Sequence, residues 1–115
     1  MKLVTNENKT SLKELKELSS QMFGNLVKAV VDVDKKIMVI QAELHADEEA
    51  ILMQIGSLQK NLWGINLYPD LNGKDFIEFD SMINLRPSQG NTSRGVDDEK
   101  VQKETRKIVA ELLEI

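Results

Sequence analysis

Two apolar, β-branched runs, Leu26–Val33 and Lys36–Leu44, are separated only by Asp34 and Lys35. A chain that stays extended and then reverses within two residues has few options, and the pattern predicts a β-hairpin. The turn lacks an Asn-Gly type pair, so the spacing alone does not set its register. Further strands are expected around it. Met1–Thr5 reads as a short edge strand, and Asn61–Tyr68 and Asp75–Leu85 read as two more. The last two are joined by a loop with Asn72-Gly73 as its turn signal.

Two helices flank this β-rich middle. Leu12, Leu15, Leu18 and Met22 recur at helical spacing after Thr10-Ser11. Ser11 and Glu14 fit a capping box, in which the hydroxyl takes an early N–H and the Glu reaches back. Phe23-Gly24-Asn25 is expected to end that helix. At the other end, Asp97-Asp98 begins a helix with Val101, Ile108, Val109, Leu112 and Leu113 as its apolar stripe. Its acidic start complements the helix dipole.

Ala46–Ile55 fits two templates. A helix would have Asp47 as cap and Gly56 as terminator. A strand would alternate Glu49, Ile51, Met53 and Ile55 with Ala50, Leu52 and Gln54. The strand is favoured, because the next strand follows within a few residues, as in a meander. The expected fold is therefore α+β, a single domain over residues 1–115. It is an antiparallel β-meander of about five strands with an N-terminal and a C-terminal helix packed on it.

At 115 residues the chain suits one domain and one core. It contains no cysteine, which excludes disulfides, thiolate metal sites and a cysteine nucleophile. The start turns polar after four residues, unlike a signal peptide, and no run approaches a membrane span. A cytoplasmic protein that does not engage membranes is expected. The net charge of −4 argues against nucleic acid as a partner.

Alternation places side chains on faces. Ile77, Phe79, Ser81, Ile83 and Leu85 form one face of the 75–85 strand, and Trp63, Ile65 and Leu67 one face of its neighbour. These apolar residues are expected to be buried together. The opposite faces then combine Asn66, Tyr68, Glu78, Asp80, Asn84 and Arg86 into one polar surface. Such a surface is either the wet side of a sheet or a shallow site. The wet side is the leading expectation; Asn66 and Asn84, poor strand formers, support the site, although hydrogen bonding to each other would account for them equally well.

The segment from Ser81 to Val96 carries Arg86 and Arg94 and no acid. Two guanidinium forks can grip carboxylate or phosphate, and Gly90 with Asn91 and small hydroxyl residues can supply further donors. The ligand-binding candidates are Arg86, Arg94, Asn84, Glu78, Asp80, Asn66, Gly90 and Asn91, with a small anion or a partner protein as the expected ligand. The glycine spacing matches neither a Walker loop nor a dinucleotide fingerprint, and no cofactor is expected. His45 stands alone among scattered acids, with no metal-binding motif, and is expected to be a solvated turn histidine.

The segments ELHAD, NLWGINLYP and EFDSMINLRPSQGN, occurring in that order, resemble a family of small prokaryotic proteins classed as a domain of unknown function. The resemblance implies a prokaryotic cytosolic origin and brings no activity, cofactor or catalytic residue. Three functions compete. The first is a binding or interaction module acting through residues 78–94. The second is a small hydrolase using Glu78 or Asp80 with Arg86 or Arg94. The third is a structural homo-oligomer. Binding ranks first because no nucleophile or base stands out, and whether the chain is an enzyme stays open at this point. A tight pocket joining His45 to Glu78 or Asp80 would favour the hydrolase.

Overall fold

A computed structural model describes residues 1–114. Its centre is the expected hairpin, β3 (Val27–Asp32) and β4 (Ile37–Ile40), paired antiparallel from Ala29↔Ile40 to Asp32↔Ile37. Asp32 sets the turn. Its Oδ1 accepts from the N–H groups of Asp34 and Lys35, and its Oδ2 accepts from the Ser57 hydroxyl. Lys36 closes the turn with a positive φ of 58°. β1 (Lys2–Val4) lies against β4 at the sheet edge, as expected.

The chain next departs from a meander. Residues His45–Gln54 form a helix, α2, where a strand was expected. The segment is rich in strong helix formers, Ala, Glu, Leu, Met and Gln. Its end is a Schellman motif: Ser57 N–H donates to Leu52 O and Gly56 N–H to Met53 O, with Gly56 at φ 102°. After α2 the chain enters β5 (Leu62–Leu67) on the far side of β3. β4 and β5 both run antiparallel to β3, so β4-α2-β5 is a crossover with β3 inserted between its strands. With β6 (Ile77–Glu78) at the far edge, the sheet order is β1-β4-β3-β5-β6, all antiparallel.

β6 is shorter than expected, only Ile77–Glu78. Beyond it the chain makes 3₁₀ turns at Met82–Asn84 and Pro87–Gln89. Asn84 explains the break. Its Oδ1 accepts from Gly64 N–H at 2.8 Å and its Nδ2 donates to Gly64 O at 2.9 Å, so one side-chain amide replaces a strand residue. Gly64 has no Cβ to obstruct this approach; one added there would lie 2.6 Å from Ser81 Cβ. The alternation fails accordingly: Asn84 is buried, while Leu85 is exposed.

Helix α1 (Leu12–Gln21) is capped by Ser11, whose Oγ accepts from Glu14 N–H. The Glu14 carboxylate does not reach back but pairs with Lys2 at 2.9 Å. Helix α3 (Glu99–Leu112) is capped by Asp98, and short parallel strands β2 (Thr10–Ser11) and β7 (Leu113–Glu114) tie the two helices together.

The sheet is covered on both faces, so the core is divided. Leu15, Leu18, Ile108, Val109 and Leu112 from α1 and α3 meet Val27, Ala29, Val31, Ile65, Leu67 and Ile77 on one face. Leu52 of α2 meets Val30, Val39 and Leu62 on the other, with Ile83 beside them. The residues expected in one cluster therefore separate. Ile65, Leu67 and Ile77 share the first, with Phe79 against it, and Ile83 joins the second. No helix among the described residues is long and apolar enough to cross a membrane.

Candidate functional site

On the α2 face the strand register aligns three polar residues. Lys28 of β3 pairs with Asn66 of β5, which pairs with Glu78 of β6. Cross-strand neighbours place their side chains about 5 Å apart, so a cation, an amide and a carboxylate stand in a row. The N-terminus of α2 and the 80–83 segment rise around this row, enclosing a cleft of about 520 Å³. Its wall is partly apolar, from Leu26, Leu44, Met82 and Ile83.

Glu78 is held from one side. Its Oε1 accepts from Asn66 Nδ2 at 2.8 Å and from the Tyr68 hydroxyl at 2.9 Å. Burial, the bond to Glu78 and the nearby carboxylates raise the Tyr68 pKa, so it stays a neutral donor. Asn66 is 93% buried, being only 7% exposed, yet its Oδ1 has no hydrogen-bond partner. Buried acceptors are rarely left so, and each such case calls for an explanation.

His45 is the first residue of α2 and is buried in the cleft wall, not solvated in a turn as expected. Its Nε2 lies 2.8 Å from Ile65 O. A carbonyl only accepts, so Nε2 carries the proton and a neutral ring keeps its lone pair on Nδ1. Burial lowers the His45 pKa, outweighing the carbonyl bond that raises it, and the Lys28 charge adds to the lowering. At the rim Arg94 Nε donates to Asp80 Oδ1 at 2.8 Å, a half-exposed pair. Lys28 pairs with no carboxylate among the described residues; its ammonium lies 5.1 Å from the Phe23 ring centre.

The structure thus brings Asn66, Glu78, Asp80 and Arg94 to one cleft, with Tyr68. It places Arg86, Asn84, Gly90 and Asn91 elsewhere. The Arg86 guanidinium lies over Trp63, 4.4 Å from the ring centre. It donates to Ile83 O, Gln59 O, Leu62 O and Gln89 Oε1. Burial lowers its pKa, but arginine stays charged, and its fork is spent on carbonyls. The Gly90 N–H is taken by Pro87 O. Asn91 is buried, with its Nδ2 on Asn84 O and Gly95 O and its Oδ1 accepting from Asp97 N–H.

The 86–97 loop also supplies its own anion. The Asp97 carboxylate accepts from Thr92 N–H at 2.8 Å and the Ser93 hydroxyl at 2.6 Å, bonds that lower its pKa. Arg86 and Arg94 therefore do not converge on a shared ligand position. Lys28 and His45 are the cleft residues that strand alternation in 61–86 could not reach. No three His, Asp or Glu residues converge as a metal site among the described residues.

Arg86 acts as a clamp between β5 and the 83–89 turns. Arg86→Lys keeps the charge but not the fork. It should lower stability by about 2–3 kcal/mol in urea unfolding and shift the fluorescence of Trp63. A loss below about 0.5 kcal/mol would show that the carbonyl contacts contribute little.

The fold and cleft define a small α+β protein, a three-layer domain with a polar cleft at the start of its middle helix. The chain belongs to the family described as Protein of unknown function (DUF5674), whose model matches residues 3–112. No curated protein and no solved structure matches the chain.

Proposed function

We propose that this is a small-molecule binding module whose ligand enters the cleft between the start of α2 and the Lys28-Asn66-Glu78 row. The unpartnered Asn66 Oδ1 carries the reading, since a buried acceptor on the cleft wall is satisfied when a ligand donor reaches it. The volume and the mixture of apolar wall and few polar groups suit a small metabolite. The protein acts in the cytoplasm of a prokaryotic cell. Nucleic acid is not its partner, given the net charge of −4; a protein partner or a second copy would dock outside the cleft.

The test is a panel of polar metabolites screened by melting temperature. A ligand of the cleft raises Tm with concentration and moves the backbone NMR signals of residues 26–28, 44–46, 66–68 and 78–83. Asn66→Leu should lose that response. If no member of the panel moves those signals, or if Asn66→Leu responds equally, the reading fails.

One observation supports a second reading, a small hydrolase: neutral His45 shares the cleft with Glu78 and Asp80. Its Nδ1 could serve as general base toward a water. Ser81 is a poor nucleophile, being buried with its Oγ accepting from Ile83 N–H. Hydrolysis of a panel compound that stops in His45→Gln would favour this reading.

A further inference from the structure

The charges of the cleft are ordered, and the order says what a ligand must carry. At one end stands Lys28, with no carboxylate partner among the described residues. In the middle is the orphaned Asn66 Oδ1. At the other end is Glu78, whose Oε1 takes two donors while Oε2 takes none among the described residues. Two residues lining the cleft thus hold unmet acceptors, beside a lysine with no carboxylate partner among the described residues. His45 lies within side-chain hydrogen-bonding reach of Asn66, but the single N–H of its neutral ring goes to Ile65 O.

The helix start adds to the positive end. α2 opens on Leu44, whose side chain caps nothing, so its first N–H groups have no side-chain acceptor. A helix start of this kind favours an anion. Of the acids in its first turn, Asp47 is exposed, and Glu48 is held neutral by burial that pushes its pKa up to about 9.

The geometry points to a zwitterionic ligand, an α-amino acid with an apolar side chain, its ammonium on Asn66 Oδ1 and Glu78 and its carboxylate toward Lys28 and the start of α2. A simple anion would leave both acceptors unmet and face the Glu78 charge. A simple amine would leave Lys28 unmet and face its charge. The apolar wall of Leu26, Leu44, Met82 and Ile83 takes the side chain. This assignment rests on the cleft being the ligand site and adds the class of ligand.

The experiment is calorimetric titration of the full chain with L-leucine, L-methionine and L-phenylalanine, and with two truncated forms of leucine. These are 3-methylbutylamine, which lacks the carboxylate, and 4-methylpentanoate, which lacks the ammonium. At least one amino acid should bind, and for leucine each truncation should cost tenfold or more. Lys28→Met, checked for an unchanged melting temperature, should weaken binding of the amino acid about tenfold and strengthen that of 3-methylbutylamine, which no longer faces the Lys28 charge. If 4-methylpentanoate binds as tightly as leucine, the cleft takes anions and the zwitterion assignment is overturned while the binding function stands. The same holds if another compound of the metabolite panel moves the cleft signals and no amino acid does. If nothing in either set binds, both fail.

Discussion

Asn84→Ala should destabilise the protein by roughly 3–5 kcal/mol, a larger loss than expected from most surface or loop substitutions. Asn84 lies in a 3₁₀ turn, not in regular structure, yet it is fully buried. Its amide serves three backbone groups: Gly64 N–H, Gly64 O and Arg94 O, all within 2.9 Å. Alanine would leave the two Gly64 groups buried with no partner, while Arg94 O keeps the Ser81 N–H, and each such group costs about 1–3 kcal/mol. Water cannot easily replace the amide, because Ser81 and Ile83 close over Gly64. Asn84→Asp tests the donor half separately. It keeps an acceptor for Gly64 N–H and sets a carboxylate oxygen against two carbonyls, so it should be no milder than alanine. Urea unfolding measures both. A loss below about 1 kcal/mol for either would mean that β5 is completed by something other than this side chain.

The same residue shows where sequence patterns stop informing. The alternation from Phe76 to Arg86 is that of a long strand, and nothing local says that after Glu78 the partner of β5 becomes a side chain. Elements defined by neighbouring residues were legible: the Asp34-Lys35 reversal, the Ser11 cap, the acidic start and apolar stripe of α3. α2 was not, because its buried stripe is His45, Glu48 and Leu52, two polar residues and one apolar. Its Met53 and Ile55 are exposed and imitate a strand face. In the cleft, Asn66, Glu78 and Asp80 could be grouped by alternation in two consecutive strands. Lys28 could not, since its register with Asn66 is set across β4 and α2. Arg86 misleads for a related reason: its local surroundings suit an anion, but its guanidinium is spent on Gln59 and Leu62 carbonyls more than twenty residues away.

The second large effect is a dependence of stability on pH through Glu48. This side chain is fully buried on the inner stripe of α2; its Oε2 accepts from Ala42 N–H at 3.1 Å and its Oε1 has no partner. Burial pushes its pKa from 4.5 up to about 9, against the lowering effects of the Ala42 N–H and the Lys28 charge. Between those values the folded protein holds a proton that the unfolded chain has released. Stability is then fully present below about pH 4.5 and falls as pH rises toward 9, at up to ~1.4 kcal/mol per pH unit. Glu48→Gln keeps an acceptor for Ala42 and removes the titration. The two proteins should be similarly stable at pH 5, and the Gln variant more stable by roughly 4 kcal/mol at pH 8. His45, whose pKa is lowered, acts in the opposite window. Its contribution is present above its unfolded value of 6.5 and is lost as pH falls below it, equally in both proteins, so the difference between them isolates Glu48. Parallel pH profiles would mean that Glu48 is ionised in the fold. The first turn of α2 would then carry a buried negative charge close to Lys28, and a ligand carboxylate would meet repulsion where the neutral acid leaves the helix start open to it.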